Sequence, residues 1–264
     1  MPVSGFKRYQ RLFKNIVNWQ EYVFHKGERK NRSLTFTTRP IPITFKVPET
    51  LYQVFKEIFM EDFYEIEELV NRLPATPVII DIGANAGFFN ILLFSKIKNA
   101  QAIAYEPMLC NILLFKDAIA ENPVLQTIQL HQIAVTGLPK GHVELFTAET
   151  NEHTVVSSVF SEFNVLNNNK IFVPAQSLAS IIKENKLDKI DLLKLDCEGS
   201  EYDIIYNTEP SILRKVKMMV IEVHQIDNER NNIQALNDYL ESIGYTTRHL
   251  PVQEGSFYLE AIGK

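Results

Sequence analysis

Apolar positions along this chain follow two rhythms, and the change of rhythm near residue 76 divides it. Before that point Phe6, Leu12, Phe13, Ile16, Val17 and Trp19 recur at the spacing of one helical face. Alternating stretches at 34–37 and 41–47 read as a short strand pair, placed at an edge by Pro40 and Pro42. Phe55, Ile58, Phe59, Phe63, Ile66 and Leu69 form an apolar stripe that predicts a helix over 51–73, closed by Pro74 and Pro77. From Val78 onward strand-like and helix-like runs alternate. Strands are expected at 78–82, 102–105, 128–135, 142–148, 170–174, 190–195 and 220–223, and helices at 177–186, from 200, and at 229–243. The stretches 244–250 and 257–262 suit a final strand pair. Alternation of this kind predicts a parallel sheet with crossover helices. The chain thus reads as an N-terminal accessory region, 1–75, and one α/β domain, 76–264.

The first run of the α/β part is the most informative. Val78, Ile79 and Ile80 lead to an acid, Asp81, then to a loop with Gly83, Asn85 and Gly87, then to the apolar helix pattern of Phe88, Phe89, Ile91, Leu92 and Leu93. Strand, glycine loop and helix form the nucleotide crevice of open α/β sheets. A dinucleotide would lay its pyrophosphate on the amides of this turn, beside the like charge of Asp81. S-adenosylmethionine has no phosphate and carries a cationic sulfonium and an α-amino group, so the acid favours it. The missing third glycine also counts against a nicotinamide-dependent oxidoreductase, the remote alternative.

Composition changes this picture little. The 264 residues are 45% apolar and 22% charged, ordinary values for a soluble globular protein with a sizeable core. Two cysteines, Cys110 and Cys197, rule out a disulfide framework. The first residues lack the apolar core of a signal peptide, and no apolar run reaches the length of a membrane span, so a cytoplasmic location is expected. Charge is more telling. Residues 1–46 hold ten Lys/Arg against two acids, a balance of +8, so with −5 for the whole chain the rest carries −13. This basic segment is a solvated arm, a contact for a homo-oligomer, or a patch for an acidic partner. No aromatic-basic pattern accompanies it, so nucleic acid is not expected as a partner.

The chemically capable residues fall at predicted strand ends, the rim where open parallel sheets bind ligands. Glu106 ends the second strand, nineteen residues past Gly87, where a carboxylate can accept both ribose hydroxyls of an adenosine cofactor. Its bland reading is a cap on the next helix. Asn85 either caps the following helix or touches the cofactor. Asp196, Glu198 and Glu201 crowd three acids into six residues around Gly199. Glu201 suits the N-terminus of the next helix, whereas the strand aims Asp196 into the cleft. Cys197, with no histidine nearby in sequence, reads as a packed residue. The period of two puts Glu222 and His224 on one face of a strand end. His224 is then a general base, a satisfied core histidine, or, with Asp196 and Glu222, a ligand to a divalent metal; a metal is possible but not expected. The long polar loop near 149–170, with His153, exceeds the usual connection length and is either disordered or functional, as a lid.

These segments together resemble the FkbM family of S-adenosylmethionine-dependent methyltransferases. The resemblance runs over roughly 78–225, through 78–87, Glu106-Pro107 with Asn111, Lys194-Leu195-Asp196-Cys197-Glu198-Gly199-Ser200-Glu201, and Ile221-Glu222-Val223-His224. It implies a class I methyltransferase Rossmann-like fold: a seven-stranded, mostly parallel sheet with helices on both faces and a reversed terminal hairpin. It implies methylation of a hydroxyl on a sugar, glycan or natural product; some relatives methylate the amide nitrogen of a peptide or protein. Carried over by position, Asp81, Gly83, Asn85 and Gly87 frame the methionine half of the cofactor, Glu106 its ribose, and Gln132 and Ala134 its adenine. Asp196 faces the transferring methyl, with Glu198 beside it and His224 as leading base. The family does not fix the acceptor.

Overall fold

The computed structural model describes residues 5–25, 32–147, 157–158, 169–253 and 255–264. His153 and most of the expected lid lie outside the described residues, as do Lys26, Arg29 and Lys30 of the basic segment. The strands in chain order are β1 (Leu34–Thr37), β2 (Thr44–Val47), β3 (Val78–Ile82), β4 (Gln101–Tyr105), β5 (Ile128–His131), β6 (Ala134–Thr136), β7 (His142–Thr147), β8 (Ser157–Ser158), β9 (Asn169–Ser177), β10 (Leu192–Leu195), β11 (Met218–His224), β12 (Tyr245–Gln253) and β13 (Ser256–Gly263). The main sheet has seven strands in the order β12-β13-β11-β10-β3-β4-β5. Its central pairs are parallel, and β13 runs antiparallel to both β11 and β12, which is the reversed terminal hairpin. Strand order turns outward in both directions from β3, so the crevice lies at the tips of β3 and its neighbours β4 and β10.

Alternation along the central strands sorts side chains to two cores. Ile80, Ile82, Leu193 and Leu195 meet the helices Leu178–Glu184, Glu201–Asn207 and Ile233–Ser242 on one face. Ile79, Ala102 and Leu192 face the other way, where the helix Phe88–Phe94 and the N-terminal region share one core. Aromatic rings join them: Phe45 lies 5.0 Å from Phe59 and 5.5 Å from Phe88, centroid to centroid. β1 and β2 pair in register from Leu34↔Val47 to Thr37↔Thr44, the expected strand pair, its second strand shorter than the 41–47 stretch.

Three expected elements differ. The helix expected over 51–73 is broken. A helix at Tyr52–Lys56 widens into a π turn at Glu57–Glu61, Asp62 and Glu65 take left-handed backbone (φ 54° and 50°), and a second helix runs Ile66–Arg72. The Asp62 carboxylate accepts the Ile66 N–H at 2.8 Å and so starts the second helix. The apolar stripe is continuous through this break because Phe63 and Tyr64 stay packed while the backbone turns. The strand expected over 128–135 is two strands: β5 completes the large sheet, and β6 pairs with β9 in a separate sheet of order β6-β9-β7-β8. The N-terminal helix, Phe6–Asn15, ends before Ile16, and Phe6 is exposed.

Candidate functional site

The loop after β3 is built by its exceptions to ordinary backbone. Gly83, Asn85 and Gly87 all have positive φ. The N–H groups of Gly83 and Ala84 both donate to the Tyr105 carbonyl at 3.0 Å, tying the loop to the tip of β4. A Cβ on Gly83 would sit 1.7 Å from the Asp196 carbonyl oxygen, and one on Gly87 would meet the Phe115 ring at 2.3 Å. The loops after β3 and β10 therefore touch backbone to backbone.

Asp81 is fully buried, bonded by the Asn90 side-chain amide and 3.2 Å from the Lys194 ammonium. Lys194, also buried, donates to the Gly83 carbonyl at 2.6 Å and lies 3.5 Å from Asp196. Glu106 receives the Asn85 N–H on one oxygen and the Met108 N–H on the other, each at 2.9 Å. Asn85 turns its own side-chain oxygen back onto the Ala86 N–H at 2.7 Å. Asp196 accepts the Tyr64 hydroxyl at 2.8 Å. Glu198 has φ 51°, a left-handed backbone that a glutamate adopts only when held. Glu201 is fully buried; its Oε1 accepts the Cys197 N–H and lies 3.1 Å from His224 Nδ1. The far side of that ring, Nε2, lies 3.4 Å from Glu198 and 3.6 Å from Glu222.

These groups open on one cavity of about 640 Å³, the size of a small-molecule site. Gly83, Asn85, Glu106, Ala134, Asp196, Glu198, Glu222 and His224 line it. Asp81, Gly87 and Gln132, expected at the cofactor, do not. Asp81 stands behind the wall and acts through Lys194, Gly87 packs under Phe115, and Gln132 points to the Pro107 carbonyl at 3.5 Å while Ile133 to Thr136 line the cavity in its place.

The family description "Methyltransferase FkbM domain" matches residues 81–247. The chain belongs to the FkbM methyltransferase family. Among similar proteins, methyltransferase sdnD of Sordaria araneosa is 27% identical over 216 residues, covering 73% of this chain and 81% of that protein. AMB antimetabolite synthetase AmbE of Pseudomonas aeruginosa is 25% identical over 228 residues. That match covers 75% of this chain, which spans only 11% of AmbE's length. The METTL16 methyltransferase domain has the same fold, with TM-score 0.50 and 10% identity over 97% of this chain and 89% of that one. This FkbM protein is therefore an S-adenosylmethionine-dependent methyltransferase with a class I Rossmann-like fold, which sets aside the oxidoreductase alternative. No helix among the described residues is long and apolar enough to cross a membrane.

The cavity suits that cofactor on its own chemistry. Five acids line it, against Lys194 and His224, so a cationic sulfonium enters a field of its opposite sign. Burial pushes the Glu106 carboxyl up to about 7, against the pull of the Met108 and Asn85 amides. Burial works against a charged Lys194, but Asp81 and Asp196 outweigh it and hold the ammonium above its usual range. Burial disfavours the His224 imidazolium too, yet Glu201, Glu198 and Glu222 outweigh that and raise it to about 10. Glu198 and Glu222 are themselves pushed up, first by burial. Burial also lifts the Cys197 thiol far above its usual value, which keeps it protonated.

Sequence reasoning missed Tyr64 and Glu57, which enter the cavity from the N-terminal region, and gave Lys194 no role of its own. Tyr64 is separated from Asp196 by 132 positions, and nothing local marks it. Lys194 carried a signal: a lysine in an otherwise apolar strand one residue from the rim.

Proposed function

We propose that this FkbM enzyme methylates a hydroxyl oxygen on a sugar, a glycan or a natural product. The observation that carries the reading is the group of Asp196, Glu198 and Glu222 around His224 in the cavity. A hydroxyl is a weak nucleophile until its proton leaves, and it needs an acceptor whose proton affinity is near the working pH. Bound S-adenosylmethionine supplies the electrophilic methyl group. Glu106 accepts ribose hydroxyls, Asn85 and Ala134 border the nucleoside, and Gly83 lets the backbone approach the methionine half. Asp196, fixed by Tyr64 and Lys194, faces the transferring methyl and aligns the acceptor oxygen.

The base differs from the expectation. With a pKa near 10, His224 already holds its proton at neutral pH and is a donor to its carboxylate neighbours. Glu198, lifted by burial to about 8, lies nearer the working pH and is the better acceptor of the hydroxyl proton, with Glu222 beside it. The test is transfer of isotopically labelled methyl to a panel of sugars, glycosides, hydroxylated natural products and peptides, with mass spectrometry to locate the label. Label on oxygen, lost in Glu222→Gln or Glu198→Gln, supports the reading. Label confined to a peptide amide nitrogen sinks it and favours the alternative acceptor.

A further inference from the structure

More carboxylate converges on the cavity floor than the protein's own cations match. Asp196, Glu198 and Glu222 lie there together, Lys194 is shared among Asp81, Asp196 and the Gly83 carbonyl, and His224 faces both glutamates. One oxygen each of Asp196 and Glu198 and one nitrogen of His224 lie within 4.8 Å of one another. Small side-chain rotations close such atoms onto a single ion, whose ligand distances run from about 2.0 to 2.3 Å. The set includes Glu198 and not Glu222, which sequence reasoning had placed among the possible ligands.

A second observation concerns the ring. Glu201 faces Nδ1 at 3.1 Å and is itself held by the Cys197 N–H. A carboxylate there fixes the ring with Nε2 turned toward the cavity, the arrangement found behind histidine ligands. Opposite Nε2 stand the Glu198 and Glu222 oxygens, at 3.4 and 3.6 Å. A divalent cation that displaces the Nε2 proton meets the same oxygens with twice its charge.

Building on the hydroxyl-acceptor reading above, we infer that Asp196, Glu198 and His224 Nε2 hold a divalent cation of the Mg²⁺ or Mn²⁺ class. Two carboxylates suit a hard, oxygen-preferring ion, and the imidazole favours Mn²⁺ within that class. Three protein ligands beside an open cavity leave room for water and for the acceptor. The cation lowers the pKa of a hydroxyl brought beside it. The proton passes to Glu222, which stands outside the ligand set. The oxygen lone pair bonds to the methyl carbon, and the S–C pair stays on sulfur, giving a methyl ether and S-adenosylhomocysteine.

The test titrates Mn²⁺ into EDTA-treated full-length protein and follows the free ion by electron paramagnetic resonance. One ion per chain is expected, bound at least about tenfold more weakly by Glu198→Gln. S-adenosylhomocysteine affinity, measured on the same samples, shows that the variant is folded. Absence of saturable Mn²⁺ binding to the wild type, or equal affinity in folded Glu198→Gln, overturns the site. Undiminished oxygen methylation in EDTA together with absent Mn²⁺ binding overturns the cation and leaves the acceptor reading standing. Mn²⁺ held by Glu198 in a chain that labels only nitrogen supports the cation and overturns the acceptor reading.

Discussion

Taking the Lys194 ammonium out of water is unfavourable, and only its partners offset it. It is 2% exposed and faces Asp81, which is wholly enclosed. Lys194→Met leaves that carboxylate without a counter-ion, and a loss of about 3–5 kcal/mol is expected. Adding Asp81→Asn should recover a large part, read as a coupling in urea unfolding of the four chains. Strictly additive losses would show that the pair is not what matters. Glu106 gives a second prediction. Its folded pKa of about 7 stands above the ordinary 4.5, so folding takes up a proton between those values. Its contribution to stability is thus present at low pH and lost as pH rises through about 7. On the proposed ribose contact, cofactor binding has the opposite sign, because the ionised carboxylate is the form that accepts hydroxyls. Affinity for S-adenosylhomocysteine should fall as pH drops below about 7, by up to about tenfold per unit. Calorimetry on Glu106→Gln should show weaker binding with that slope removed; a slope that survives would assign it to another group.

At the scale of elements, the loops after β3 and β10 fit each other more closely than either fits an abstract motif. Gly83→Ala must find room for a Cβ 1.7 Å from the Asp196 carbonyl oxygen, at φ 76°. Backbone has to move, so S-adenosylhomocysteine binding should weaken more than about tenfold with a stability loss of about 1–3 kcal/mol. Wild-type calorimetry for this variant would mean that the two loops do not touch in solution. The strands of the large sheet were legible because burial on both faces leaves unbroken apolar runs, as in 78–80. Breaks inside an apolar stripe were not. The stripe over 51–73 stays buried through the left-handed turn at Asp62 and Glu65, so its spacing says nothing of the interruption. The division of 128–135 between two sheets has the same origin, since Ile128, Ala134 and Val135 are buried in either assignment. Rim acids such as Glu106 and Asp196 were readable from their place at strand ends. Tyr64 was not, because only tertiary packing brings it there.

At the scale of the molecule, the N-terminal region is part of the interior. Phe36, Phe45, Phe55 and Phe59 share a core with Phe88 and Phe89 of the sheet domain, and Arg72 pairs with Glu260 on the last strand. A chain beginning at residue 76 is expected to expose this aromatic face, aggregate on size-exclusion chromatography and lose cooperative unfolding. A monomeric, cooperatively unfolding fragment with full S-adenosylhomocysteine affinity would show that the two parts are independent. A different consequence follows from the contact of Gly83 with the Asp196 backbone, reinforced by the Lys194 bond to the Gly83 carbonyl. The loop proposed to meet the cofactor and the loop proposed to meet the acceptor are one mechanical part. Stiffening either stiffens both, so each ligand changes the other's affinity by the same factor, in both directions. Spent cofactor then leaves more readily once the methylated product has gone.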